Sequence, residues 1–332
     1  MCAVHSTNTT FVFEKTLESW IHQYRNHFLK PTWLLQQFLH NPKIHYNMKH
    51  IIATAFVLFL TVGFKGFAQR AAVTAAPKVK LADQEKTLNS QWQGKRVAFL
   101  GDSMTDKRRI GTTCVYWEYL NELLGIEPFV YGISGNQWNH IYKQALKLQE
   151  EKGTNVDAIL IFAGTNDYMH GTPLGEFFSE ITKQTNFNGK EVTRKYRIPN
   201  LNDSTFCGRI NKAMSYLKNN FPQQQIIIMT PIHRGYAKFN DKNVQPDENY
   251  SNGQGLYIDA YVDALKQAAS YWAVPLIDLY SISGLFPMAD AHLQYFHDKE
   301  MDRLHPNALG DYRLAKTIQY QLLALPSVFV VE

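Results

Sequence analysis

The sequence predicts an α/β domain built on a five-stranded parallel sheet with helices on both faces. Three observations lead there. Five short runs are apolar on both faces, as strands buried from both sides must be. The stretches between them place apolar residues at helical spacing. Strand and helix alternate along the chain, and parallel neighbours need a crossover that a helix supplies.

Arg96–Leu100 (RVAFL) is the first expected strand. Val115, Tyr119, Leu120, Leu123 and Leu124 then fall on one helical face, and Gly125 supplies the stop. Pro128–Tyr131 (PFVY) is the second strand, followed by a helical face of Ile141, Ala145 and Leu148. Ala158–Ala163 (AILIFA) is the third. Ile210, Met214 and Leu217 mark a helix ahead of Pro222, and Gln225–Thr230 (QIIIMT) is the fourth strand. Tyr257, Tyr261, Leu265 and Ala268 precede the fifth, Val274–Leu279 (VPLIDL), and Leu314, Ile318 and Leu322 form the closing helix. Two intervals, 167–209 and 231–256, exceed what a crossover requires. Both follow strand ends and are rich in polar and aromatic residues, so both are expected to be long loops that shape a ligand site.

The segment ahead of the domain has a different character. Residues 48–68 read MKHIIATAFVLFLTVGFKGFA: a basic start, an apolar core and a small-x-small exit, which is the pattern of a secretory signal peptide. The fourteen-residue core Ile51–Phe64 falls short of the roughly 20 residues that a bilayer span needs. No Cys follows it, so no lipid attachment site is offered. The expectation is export to the periplasm or the exterior, with no stable membrane span after cleavage. Signals are read at an amino terminus, so residues 1–47 are expected to be an upstream artefact, with translation beginning at Met48. Residues 69–91, polar and Ala-rich, read as a tether, and the folded domain as 92–332, starting near Trp92.

The formal charge of +5 belongs to that leading segment. Residues 1–68 hold six basic and two acidic residues, whereas 69–332 hold 28 and 27, so nucleic-acid binding has no support. Hydrophobic content of 45% excludes a disordered chain, and three Cys exclude a disulfide-stapled scaffold. Neither GxxxxGK[ST] nor a post-strand GxGxxG occurs, and no cofactor is expected.

Four separate segments carry the chemistry. The first strand ends in Gly101-Asp102-Ser103, the second in Tyr131-Gly132-Ile133-Ser134-Gly135-Asn136, and the third in Gly164-Thr165-Asn166-Asp167. Asp302-Arg303-Leu304-His305-Pro306-Asn307 arrives from a C-terminal loop before the last helix. An acid three residues before a His can bind that ring's Nδ1 and leave Nε2 free to take a hydroxyl proton. Together they supply what acyl transfer needs. Ser103 is the nucleophile, too weakly acidic to act unaided. His305 is the base, an imidazole whose unperturbed pKa of roughly 6.5 suits neutral pH. Asp302 orients His305. The Ser103 N–H, the Gly135 N–H and the Asn166 side chain are donors for an oxyanion.

This set resembles the SGNH (GDSL-type) hydrolase family, with GDSMTD at 101–106, GISGN at 132–136, GTND at 164–167 and DRLHPN at 302–307 in family order over about residues 95–323. The resemblance implies a flavodoxin-like three-layer α/β/α sandwich and hydrolysis of esters through an acyl-serine intermediate. Gly135 aligns best with the family's oxyanion glycine, with Gly132 as the fallback. The two long intervals exceed those of the smallest members, so the family does not assign the substrate.

Trp138, Tyr168, His170, His233, Arg234 and Tyr236 follow strand tips and are candidates for lining an acyl or sugar pocket, against ordinary loop packing. Among them Arg234 is the one expected to meet a polar substrate. His292 and His297 lack the carboxylate spacing of metal ligands, and no metal site is expected. Cys114 and Cys207 are expected as two separate buried thiols, with pairing in an exported protein as the alternative. The leading function is an exported serine esterase acting on a small-molecule or glycan ester, O-acetyl groups in particular. The alternatives are a lysophospholipase or lipase, which should show broad apolar loop surface, and a non-catalytic glycan-binding domain. The oligomeric state is not encoded in any of these signals.

Overall fold

The computed structural model describes residues 77–80, 89–109, 111–326 and 329. The upstream segment 1–47 and the signal-like segment 48–68 lie outside the described residues, as does most of the expected tether 69–91. Where that tether is described, Val79 packs on the domain core and its N–H donates to Tyr119 Oη at 2.9 Å, while Lys78 pairs with Glu122.

In chain order the elements are β1 (Arg96–Gly101), α1 (Tyr116–Leu124), β2 (Glu127–Val130), α2 (Trp138–Lys152), β3 (Ala158–Phe162), the short α3 (Thr165–Met169), β4 (Phe178–Phe187), β5 (Lys190–Pro199), α4 (Phe206–Asn220) and β6 (Gln225–Met229). They continue with β7 (Ala237–Asn240), β8 (Asn243–Gln245), α5 (Ile258–Tyr271), β9 (Leu276–Ile277), α6 (Leu279–Ile282), a 3-10 turn (Asp290–Tyr295), β10 (Phe296–Asp298), β11 (Asp302–Pro306) and α7 (Ala308–Ala324).

The main sheet has the order β2-β1-β3-β6-β9, and every neighbouring pair is parallel. These are the five runs expected from the sequence. Each strand sends alternate residues to opposite faces, and both faces are cores. Val97, Phe99, Leu160, Ile227 and Met229 join one core with α1 and α7 residues such as Leu120 and Ile318. Ala98, Leu100, Ile159, Ile161, Ile226 and Ile228 join the other with Ile141, Met214 and Leu265. The result is a three-layer α/β/α sandwich of flavodoxin-like strand order. In that order the chain winds both ways from the β1/β3 boundary, and the crevice beyond their carboxyl ends is the expected ligand site. Cys114 lies in one core and Cys207 in the other, both as free thiols, and burial pushes each up to about 12.

A second sheet, ordered β10-β11-β7-β8 and antiparallel, stands beside the main one. It takes in residues 237–240 and 243–245 of the interval 231–256 and most of the DRLHPN segment, so His305 is carried on a strand rather than on the expected loop. The interval 167–209 also differs from expectation. It forms the β4–β5 hairpin, whose ten-residue strands pair from Phe178↔Pro199 to Phe187↔Lys190. Its turn is Asn188-Gly189, with φ of 52° and 77°, the pair of positive φ values that a two-residue hairpin turn requires. No residue of this hairpin lines the cavity described below. Among the described residues, no helix is long and apolar enough to cross a membrane.

Candidate active site

The strand tips converge because β1, β2 and β3 are adjacent and parallel. Gly101 ends β1, and both of its backbone polar groups are held by one side chain. The Gly101 N–H donates to Gln144 Oε1 and Gln144 Nε2 donates to the Gly101 carbonyl, each at 2.8 Å. The chain then turns tightly, with the Met104 N–H on Asp102 Oδ1 at 3.0 Å and the Asp106 N–H on the Asp102 carbonyl at 3.0 Å. This turn exposes Ser103 Oγ to the crevice. Burial raises the carboxyl of Asp102 to about 7.

Asp106 ties this turn to the loop after β2. Its Oδ2 accepts from the Ser134 N–H at 2.9 Å and the Ser134 hydroxyl at 3.0 Å, while Arg108 pairs with its carboxylate. Burial works against ionisation here, but the hydrogen bonds from Arg108 and Ser134 outweigh it and hold Asp106 at about 2. The loop is thereby fixed with Gly135 at the cavity wall. Gly132 takes a packing role instead, since a Cβ there would meet Thr105 at 2.5 Å.

Ser103, His305 and Asp302 form a continuous hydrogen-bonded chain. His305 Nε2 lies 2.8 Å from Ser103 Oγ, and His305 Nδ1 lies 3.2 and 3.0 Å from Asp302 Oδ1 and Oδ2. Asp302 Oδ1 also accepts the Leu304 and His305 backbone N–H groups at 3.2 and 3.0 Å. Burial opposes the charge on Asp302, but hydrogen bonds from His297 and His305 prevail and hold its carboxyl well below the usual range. Asn307, the last residue of the DRLHPN segment, caps α7 by accepting from the Leu309 and Gly310 N–H groups, and its amide donates to the Gln294 and Phe296 carbonyls. The His-bearing strand is thus anchored at the helix entry.

Asn166 lies in the first turn of α3 and lines the cavity. Its amide donates one hydrogen to the Asn136 carbonyl at 3.0 Å and keeps the other. Among the described residues, the backbone N–H groups of Ser103 and Gly135 have no acceptor. Three donors without a protein acceptor therefore belong to residues that line one cavity of about 550 Å³, together with His305. A ligand oxygen placed there would meet N–H groups, while the His-Asp pair stands ready to take the Ser103 proton.

The six residues considered for the pocket wall, His170 and Tyr236 included, are all absent from the cavity lining, and the contacts of four of them show why. Trp138 is fully buried, with Nε1 on the Ala163 carbonyl at 3.2 Å and its backbone N–H on Asp167 at 3.0 Å. Tyr168 is buried and donates to the Tyr250 carbonyl. His233 stacks on Tyr280 with centroids 3.8 Å apart and bonds to Glu248. Arg234 is fully buried, with its guanidinium on Thr165 Oγ1 at 3.1 Å and Gln245 Oε1 at 2.7 Å. None of the four lines the cavity. The reason is local: each side chain finds hydrogen-bond or stacking partners inside the fold, although the buried Arg234 Nε–H has none, and Arg234 reaches the cavity only through Gln245. The cavity wall also includes Lys238, Phe239, Asn243 and Gln245, which no sequence signal singles out, together with Ser134 and His297. Most sit on the second sheet, where the β11–β7 pairing joins two hairpins some 60 residues apart in the chain. His297 was visible in the sequence, but its partner was not, because only the β10–β11 pairing sets it against Asp302.

Strand order and site together define a three-layer hydrolase of the SGNH fold. The chain belongs to the GDSL-like lipase/acylhydrolase family, whose pattern matches residues 99–313. It is accordingly a hydrolase acting on ester bonds. Among solved structures, a protein from Lactobacillus plantarum is similar at 25% identity and a TM-score of 0.54, over 69% of this chain and 97% of that one. A possible lipase from Chitinophaga pinensis is similar at 19% identity and a TM-score of 0.51, over 68% of this chain and 96% of that one, a likeness of fold. No curated protein matches the chain significantly.

Proposed function

We propose that the protein is an exported serine esterase that works through an acyl-Ser103 intermediate and removes acyl groups, O-acetyl in particular, from a glycan. The observation that carries the catalytic part is His305 Nε2 at 2.8 Å from Ser103 Oγ, with two acceptor-free backbone N–H groups alongside. As Ser103 Oγ attacks the ester carbon, its proton passes to His305 Nε2 and the carbonyl oxygen becomes an oxyanion among the Ser103, Gly135 and Asn166 donors. Collapse breaks the bond to the alcohol oxygen, which takes the proton from His305. Water then repeats the sequence: His305 removes its proton, the hydroxide adds to the acyl carbon, and Ser103 Oγ leaves with that proton. Asp302, held charged by its hydrogen bonds, stabilises the imidazolium formed in each half.

The polar wall supports a glycan alcohol. Lys238, Asn243, Gln245 and Ser134 offer donors and acceptors suited to a polyhydroxylated ligand. Export rests on the signal-like segment 48–68. One observation favours a lipid ester as a second reading: Phe239 and Met301, 42% and 41% exposed, stand on the same wall. A non-catalytic binding domain is disfavoured, since a serine, base and orienting acid act as a unit and all three are present.

The test is hydrolysis of p-nitrophenyl acetate and butyrate with Ser103→Ala beside wild type. Equal slow rates would overturn the catalytic reading. Acetylated xylan, pectin and sialic acid, set against lysophospholipids, then separate the two substrate readings. Amino-terminal sequencing of the protein from its natural host tests export.

A further inference from the structure

Asp302 serves two histidines. Its Oδ2 lies 3.0 Å from His305 Nδ1 and also 3.0 Å from His297 Nδ1. His297 stands on β10, opposite the strand that bears Asp302 and His305, and its ring forms part of the cavity wall. The ring is seated closely. Gly111, at φ +96°, lies so near that a Cβ there would come within 2.3 Å of His297 Cγ. A side chain on residue 111 would displace the ring from Asp302.

We propose that His297 is a positioning residue of the hydrolytic site, which holds the Asp302 carboxylate through the same oxygen that meets His305 and sets how strongly that carboxylate draws the His305 ring. The inference rests on the reading of Ser103, His305 and Asp302 as the hydrolytic unit. With the Leu304 and His305 backbone N–H groups on Oδ1 and the two imidazoles on Oδ2, the carboxylate is held on every side. A carboxylate has about four acceptor positions, so it can neither rotate nor be claimed by water. The sharing has an electronic consequence. Each hydrogen bond that Asp302 accepts from His297 delocalises charge that would otherwise favour a protonated His305.

The charged groups facing His297 are Asp302 on β11, Asp298 on its own strand and Arg109 from the turn after β1. The hydrogen bond to Asp302 is the leading influence and raises the His297 pKa, with Asp298 acting in the same direction and burial and Arg109 opposing. In either protonation state His297 can donate from Nδ1, and in either state it weakens the pull of Asp302 on His305. Removing the donor should therefore leave His305 protonated up to a higher pH.

The test uses the full chain with His297→Phe, which keeps a planar ring against Gly111 but cannot donate, and His297→Asn, whose amide nitrogen sits where Nδ1 was. For His297→Phe, the acid limb of kcat/KM should move to higher pH by about 0.5–1 unit. The plateau kcat should fall about 10-fold, the order expected for losing one hydrogen bond to a charged group, with KM little changed. His297→Asn should recover most of both. A folded His297→Phe protein with the wild-type acid limb and plateau kcat would overturn the proposal. A measurement on the unaltered protein decides it if that variant does not fold. Imidazole nitrogen NMR should show His297 with its proton on Nδ1 at neutral pH, and a proton on Nε2 alone would overturn the proposal. Failure of the hydrolytic reading itself registers separately, as activity that survives Ser103→Ala.

Discussion

Asn166→Ala separates transition-state stabilisation from binding. In the structure the Asn166 amide gives one hydrogen to the Asn136 carbonyl and keeps one for the cavity, beside the Ser103 and Gly135 N–H groups. Truncation removes one of three donors to the oxyanion and leaves the two backbone donors in place. Loss of a single such donor costs about 100- to 1000-fold in kcat, or roughly 3–4 kcal/mol of barrier. KM should change little, because an ester carbonyl in the ground state carries far less charge than the oxyanion. The fold should tolerate the change. The Asn136 carbonyl loses a partner, but that residue is partly exposed, so water can replace the amide at a cost under about 1 kcal/mol. The assay is steady-state hydrolysis of p-nitrophenyl acetate on the pH plateau, with a thermal melt of the same sample. Asn166→Asp should lose at least as much, since a carboxylate cannot donate and repels the oxyanion. A kcat within threefold of wild type, or a defect confined to KM, would refute the assignment of Asn166 to the oxyanion site.

Other outcomes follow from the braces around Ser103. Gln144→Met leaves the buried Gly101 N–H unpaired, while the Gly101 carbonyl keeps the Ile133 N–H at 3.2 Å, a cost of about 1–3 kcal/mol. The melting temperature should drop by about 2–10 °C, and a drop under 1 °C would show that the clamp contributes nothing. Asp102→Asn keeps the acceptor for the Met104 N–H and removes a buried ionisable group. Burial raises the folded carboxyl to about 7 from its ordinary 3.8, so ionising it costs the fold stability as pH rises through that window. The Asn variant should be the more stable form in urea titrations at pH 8 and indistinguishable at pH 4. Asp106 has the opposite sign: its folded pKa of about 2 lies below 3.8, so its stabilisation is present above about pH 4 and is lost as pH falls toward 2. Asp106→Asn should flatten that acid limb of stability, and an unchanged limb would place the acid sensitivity elsewhere.

Much of the fold was legible because parallel strands buried on two faces leave continuous apolar runs. RVAFL, AILIFA and QIIIMT could hardly be anything else, and each sends alternate residues to the two cores. The site blocks were legible for a related reason: Ser103, Gly135 and Asn166 sit at strand tips, where topology alone brings them to one edge. The β4–β5 hairpin was missed although its Asn188-Gly189 turn is a local signal, because a solvated hairpin has no apolar alternation strong enough to announce its strands. Arg234 shows the converse. A cation at a strand tip suggests a substrate contact, yet its guanidinium faces Thr165 and Gln245 and is sealed from solvent. Whether a polar side chain turns inward or outward depends on partners that lie far away in sequence.

The amino-acid sequence by itself determined the layered α/β architecture, the residue types that acyl transfer requires and their order along the chain. Those properties are carried by local pattern, by hydrophobic period and by short motifs. The tertiary structure decided which donors are free and what walls the cavity. It also showed that Asp302 is divided between His305 and His297. These depend on the short hairpin of β10 with β11 and on the long-range pairing of β11 with β7, contacts whose register comes from antiparallel backbone hydrogen bonds and leaves no periodic trace in strands this short.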